Sequence, residues 1–150
     1  MTSNQHIVAI GAGLAAIQLA DSLRQEGFDG EILLIGEEAY KPYQRPPLSK
    51  NFLAGEMTED RLQMRLEAFY ADNRIDVRLN TRVQVIDRVT KTVWLGSGEK
   101  ISYDKLAITT GARVREIPVP GAGLKGVLYS RGIDDILQMR EFLDSSEQIA

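Results

Sequence analysis

The stretch HIVAIGAGLAA, His6–Ala16, decides how this chain is read. Its first five residues are a short apolar run with β-branched side chains, the pattern of a parallel strand buried on both faces. A Gly-x-Gly-x-x-Ala turn follows at Gly11, Gly13 and Ala16. Beyond it Ile17, Leu19, Ala20 and Leu23 recur at helical spacing, against polar Asp21, Arg24, Gln25 and Glu26. Gly27 stands where a helix ends in a left-handed residue. Glu31–Ile35 is a second apolar run. A strand, a helix and a strand in that order imply two parallel strands joined by a right-handed crossover.

The turn carries chemistry as well as topology. Gly11 permits the tight bend. Gly13 has no Cβ, so the backbone can approach a pyrophosphate, and Ala16 lets the helix lie close to the strand. Phosphate oxygens would meet the free N–H groups of the first helical turn and its charge of about +0.5. The fingerprint alone is a weak signal; its place between a strand and a helix is the context that supports it. Glu37, just past the second strand, is a carboxylate able to accept both ribose hydroxyls of an adenosine, and Glu38 is the adjacent competitor. Together these residues imply an adenine dinucleotide. They do not choose between NAD and FAD.

The next segment bears on that choice. Connections in α/β units usually run about 2–6 residues, yet residues 36–58 form a long excursion containing RPPLSK at Arg45–Lys50. Proline fixes φ and stiffens such a loop at little entropic cost. Two readings stand side by side. Pro46 and Pro47 press against a flat ring while Arg45 and Lys50 face its electron-rich edge or its phosphates; or the segment is a solvated connection whose cations do nothing. Ile108-Thr109-Thr110-Gly111-Ala112 is likewise either a close approach to a ligand at the carboxyl edge of a sheet or a plain strand exit.

The rest of the pattern builds the expected fold, an α/β Rossmann-like parallel sheet with an antiparallel β-meander. A helical turn is expected near Ser49–Leu53, a helix over Leu66–Asn73 and a strand over Ile75–Leu79. From Arg82 to Tyr103 the apolar period becomes two, at Val83/Val85, Val93/Leu95 and Ile101/Tyr103, with a hairpin signal at Ser97-Gly98. Lys105–Thr109 returns to the sheet, and Asp134–Leu143 is an amphipathic helix whose acidic start suits the helix dipole. His6 opens a strand with no second histidine for a metal site, and Trp94 packs on the meander's outer face. Residues 145–150 read as a linker and the start of another strand, so the 150 residues are expected to be one domain of a longer chain.

Composition narrows the classes. Apolar residues make up 43% and charged residues 26%, which is a globular mix. A net charge of -3 argues against general nucleic-acid binding. The absence of cysteine excludes disulfides and thiol redox chemistry, and suits a reducing, cytoplasmic setting. The N-terminus has no basic region ahead of an apolar run, so no signal peptide is expected. No apolar run reaches the roughly 20 residues a membrane span needs.

Read together, AIGAGLAA, LLIGEE, PYQRPPLSKNFL, LAITTGARVREIPVPG and LYSRG resemble, in that order, the N-terminal FAD-binding part of the oxygenase-coupled NADH:ferredoxin reductases. These belong to the class I pyridine nucleotide-disulfide oxidoreductases, of glutathione-reductase fold. The resemblance covers nearly the whole chain; RPPLSK is its most specific element and is shared with apoptosis-inducing-factor-like flavoproteins. It implies bound FAD, NADH as electron donor and a 2Fe–2S ferredoxin as acceptor, feeding an oxygenase or a cytochrome P450. It implies backbone contacts to the pyrophosphate from Leu14 and Ala15, and Glu37 on the adenosine ribose. Arg45, Pro46 and Lys50 would lie at the flavin, with Lys50 near N5, the atom that receives hydride, as the catalytic residue. Val83 would bond the adenine through its backbone; Thr110, Gly111 and Arg131 would complete the site. The family's Ala-Thr-Gly turn is Thr109-Thr110-Gly111 here, and Gln44 stands where many relatives have Asp, so Gln44 is assigned no role. The resemblance also places an NADH-binding domain and a C-terminal domain outside these 150 residues. The alternatives are an apoptosis-inducing-factor-like or other flavin oxidoreductase with a different acceptor, and a non-catalytic dinucleotide-binding module.

Overall fold

The computed structural model describes residues 5–145. The signal-peptide reading of the first four residues and the strand start expected beyond Ser145 lie outside them. The described residues form two compact units: 5–43 with 63–111, and 44–62 with 112–145.

The first unit has three layers. Strands β1 (His6–Ile10), β2 (Glu31–Ile35), β3 (Ile75–Arg78) and β7 (Lys105–Ile108) form a parallel sheet in the order β3-β2-β1-β7. Helices α1 (Leu14–Gln25) and α2 (Glu67–Asp72) bury Ala16, Ile17, Ala20 and Tyr70 against Ala9, Ile32, Leu34 and Ile75. The other face of the sheet shows Val8, Leu33 and Ile35. It is covered by Val93, Leu95 and Ile101 from a meander of β4 (Val83–Asp87), β5 (Thr92–Leu95) and β6 (Lys100–Ser102). Successive side chains of a strand point to opposite faces. That alternation is why consecutive apolar residues in β1 and β2 serve two different cores.

Two details depart from simple periodicity. Val83 pairs with Leu95 and Val85 with Trp94, so a register shift falls between Val83 and Val85. The shift turns Val85 outward, 47% exposed, instead of beneath the meander with Val83. Arg24, which the helical pattern marks only as polar, donates from Nε to Asn73 O at 2.7 Å, from Nη1 to Phe28 O at 2.6 Å and from Nη2 to Arg74 O at 2.9 Å. It satisfies carbonyls at the end of α2 and just past the end of α1. Burial and the neighbouring Arg74 charge lower its pKa from the ordinary value.

The second unit buries Leu48, Phe52, Leu62, Ile133 and Ile136. Its helix α3 (Ile133–Asp144) packs on the helical turns at Leu48–Phe52. Arg140 lies 4.4 Å over the Phe52 ring and donates from Nε to Leu53 O at 3.3 Å.

Candidate functional site

The order β3-β2-β1-β7 reverses direction at β1: the chain leaves β1 toward β2 on one side and returns to β7 on the other. Open α/β sheets bind ligands at the carboxyl ends of the strands at such a switch point. Three turns meet there. Gly11 donates its N–H to Ile35 O at 2.7 Å, which ties it to β2. A Cβ on Gly11 would lie 2.3 Å from Thr109 O and 2.8 Å from Thr110 N, so the backbone after β7 is pressed directly on it. A Cβ on Gly36 would lie 2.8 Å from the Ala12 Cβ, so the turn after β2 also abuts the fingerprint.

Gly13 is different. An added Cβ there meets nothing within 4 Å. It is the N-cap of α1, with no side-chain cap and no acidic residue in the first turn. The N–H groups of the first turn therefore lack a side-chain acceptor, and Leu14 and Ala15 are exposed, Leu14 by 61%. An uncapped helix start opening on free space beside a sheet switch point fits an anionic diphosphate. Gly11, Thr110, Gly13, Leu14 and Ala15 are thus gathered at one end of the sheet, with exposed Gly111 next along the chain.

The two competing carboxylates separate in the structure. Glu38 accepts the Tyr43 hydroxyl at 2.5 Å. Glu37, exposed beyond the carboxyl end of β2, accepts from Arg82 Nη1 at 2.9 Å through Oε1. Arg82 immediately precedes Val83, which opens β4, so the ion pair brings the Glu37 turn to the start of the meander.

In the second unit Arg45 Nη1 donates to Arg131 O at 2.6 Å, joining two expected site residues 86 positions apart. The Arg131 and Gly132 N–H groups donate to Asp135 Oδ2 at 2.8 and 2.7 Å. Asp135 thereby holds the Arg131 backbone at the start of α3. Pro46 is exposed and Pro47 half-buried. Lys50 is exposed, and its backbone (φ -126°, ψ -117°) interrupts the helical turns of Leu48–Phe52. Its ammonium makes no hydrogen bond or ion pair among the described residues.

Thr109, Gly36, Arg82 and Asp135 support these positions, and the sequence reading gave none of them a role at the site. Gly36 carried one usable signal, a glycine at a strand end beside a fingerprint, and Asp135 another, a carboxylate three residues past the glycine that starts α3; Thr109 and Arg82 act through partners distant in the chain. A separate hollow of about 720 Å³ lies where β2 and β3 begin. Asp29, Glu31, Glu67 and Asp76 line it against Lys41 and Arg74, so carboxylates outnumber cations there. Among the described residues no cluster of His, Cys, Asp and Glu could hold a metal, and no helix is long and apolar enough to cross a membrane.

Fold and crevice define a dinucleotide-binding α/β protein of the Rossmann-like class. The family profile described as "Pyridine nucleotide-disulphide oxidoreductase" matches residues 5–147, and the chain belongs to that family. It is 41% identical over 143 residues to rubredoxin-NAD(+) reductase of Pseudomonas putida, covering 95% of this chain and 37% of that protein. It is 36% identical over 143 residues to the ferredoxin--NAD(+) reductase component of the biphenyl dioxygenase system of Paraburkholderia xenovorans (strain LB400), covering 95% and 35%. Among solved structures it superposes on the ferredoxin reductase for the CYP199A2 system from Rhodopseudomonas palustris with a TM-score of 0.86 at 40% identity, covering 94% of this chain and 35% of that one. The reductase in a covalent putidaredoxin reductase–putidaredoxin complex gives 0.85 at 35% identity, covering 94% and 34%. The chain thus spans about a third of the length of the relatives it matches. The family's name refers to disulphides, but this sequence has no cysteine.

Proposed function

We propose that this chain is the FAD-binding domain of an NADH-dependent reductase that delivers electrons to a 2Fe–2S ferredoxin serving an oxygenase or cytochrome P450. The observation that carries the cofactor reading is the uncapped start of α1, opening at Gly13 onto free space at the sheet's switch point. The relatives' names support the electron route, and these 150 residues supply no thiol for the electrons to leave through. FAD, when bound, supplies the redox chemistry: it accepts two electrons as hydride and gives them up singly.

The chain's own residues bind and orient. Gly13 leaves room for the diphosphate, and the N–H groups of Leu14 and Ala15 are available to it. Glu37 accepts from the adenosine ribose while Arg82 holds its carboxylate, and the Val83 backbone meets the adenine. Thr110, Gly111, Arg45, Pro46 and Arg131 complete the cofactor site. Lys50, whose ammonium is unpaired among the described residues, contributes positive charge where negative charge develops, an electrostatic role and not a proton transfer. The setting is cytoplasmic.

The experiment starts with colour. Purified intact protein should be yellow and release FAD on denaturation; colourless protein that binds only NADH would refute the reading. With NADH, cytochrome c reduction should then depend on an added 2Fe–2S ferredoxin. A second acceptor has an observation in its favour, because two relatives are named rubredoxin reductases. Stimulation by rubredoxin and by no 2Fe–2S ferredoxin would move the assignment there.

A further inference from the structure

The Thr109 side chain sits at the seam between β7 and the fingerprint turn. Its Oγ1 donates to Gly11 O at 2.9 Å, with Ile10 O also in reach at 3.1 Å. Its backbone N–H donates to Ile10 O at 2.8 Å. Gly11 is consequently held from three directions: its N–H by Ile35 O, its carbonyl by the Thr109 hydroxyl, and its Cα against the Thr109 carbonyl. A trans peptide is planar, so a carbonyl and the following N–H point in opposite directions. Fixing the Gly11 carbonyl toward Thr109 therefore aims the Ala12 N–H away from β7.

We infer that Thr109 is a positioning residue for the dinucleotide turn: its hydroxyl sets the Gly11–Ala12 peptide so that the turn is shaped before the diphosphate arrives. The inference rests on the reading that this crevice takes the diphosphate of FAD. Thr109 does not itself touch the ligand; it acts through Gly11. A turn ordered in advance does not spend binding energy on its own ordering.

The test compares Thr109→Val, which keeps the branched shape and loses the hydroxyl, with Thr109→Ser, which keeps the hydroxyl. Two quantities are read in the intact protein: FAD dissociation by fluorescence titration, and amide hydrogen exchange of Gly11 in the flavin-free form. A single hydrogen bond is worth enough to predict about five- to tenfold weaker FAD binding in Thr109→Val, with Gly11 exchange faster by a similar factor. Thr109→Ser should stay within about twofold of wild type in both. Wild-type affinity and exchange in Thr109→Val would overturn the inference. So would a lower unfolding midpoint with affinity unchanged, which marks a packing role alone, or a failure of Thr109→Ser to restore binding. If Thr109→Val does not fold, Thr109→Ala carries the same comparison. A wild-type protein that takes up no FAD would sink the flavin reading, and the exchange measurement would still decide whether Thr109 braces the turn.

Discussion

Gly11 and Gly13 belong to one motif, yet the structure gives them opposite reasons for being glycine, and alanine substitution separates them. In Gly11→Ala the new Cβ falls 2.3 Å from Thr109 O, 2.6 Å from Thr109 C and 2.8 Å from Thr110 N, all backbone atoms. They cannot swing aside, because the Thr109 N–H is bonded to Ile10 O at 2.8 Å. The residue also sits at φ +105°, where an L side chain is strained. Left-handed strain of about 1–2 kcal/mol joins an overpacking cost of about 1–3 kcal/mol. The expected loss is about 2–5 kcal/mol, a large share of a stability of about 5–15 kcal/mol. In Gly13→Ala the Cβ meets nothing and the backbone (φ -107°, ψ -164°) is ordinary extended chain. A gain of about 0.4–1 kcal/mol from the stiffer unfolded chain opposes a comparable loss of N-cap preference. Stability should therefore stay within about 1 kcal/mol of wild type. The new methyl would instead occupy space left for the diphosphate and weaken FAD binding about tenfold to a hundredfold. Urea unfolding of the flavin-free protein and flavin titration read the two effects separately. A stable Gly11→Ala protein, or a Gly13→Ala protein with undiminished FAD affinity, would refute the division of labour.

Arg24→Met should cost about 2–3 kcal/mol in chemical denaturation, because it strips a charged donor from three carbonyls; a change below about 0.5 kcal/mol would mean water replaces it fully. Burial raises the Tyr70 pKa to about 12, and its hydroxyl has no hydrogen-bond partner among the described residues. The buried neutral phenol thus contributes stability that is fully present below the unfolded-state pKa of about 10 and is lost as pH rises through about 12. Tyr70→Phe should be neutral or stabilising at pH 7 and should decline less steeply between those values in alkaline denaturation; an identical pH slope would count against it. Glu37→Ala should weaken FAD binding about tenfold, whereas Glu38→Ala should mainly lower stability by removing the carboxylate that accepts the Tyr43 hydroxyl; reversed effects in paired titration and melting experiments would hand the ribose role to Glu38. Lys50→Met should slow flavin reduction by NADH about tenfold or more in stopped flow while FAD retention changes less, and an unchanged rate would remove Lys50 from the chemistry.

The amino-acid sequence alone settled much of the architecture. The apolar run of β1, the glycine turn and the helical spacing of α1 are local features, and steric limits and periodicity act over a few residues. For the same reason the period of two found the meander, and the expected ends of α2, β3 and α3 fell within a residue of those observed. The order of AIGAGLAA, LLIGEE, PYQRPPLSKNFL, LAITTGARVREIPVPG and LYSRG pointed to the family without any coordinates. The braces of the turns depend on groups far apart in the chain. The Thr109 hydroxyl reaches Gly11 across 98 residues, Arg45 reaches the Arg131 carbonyl across 86, and Arg82 reaches Glu37 across 45. The register shift that turns Val85 outward comes from pairing with β5, which strand alternation cannot foresee. The two neighbouring carboxylates differ because Tyr43 folds back onto Glu38 while Arg82 pairs with Glu37. A hydrogen bond leaves no periodic trace in sequence, so the residues that brace the turns became visible only once the strands had brought them together.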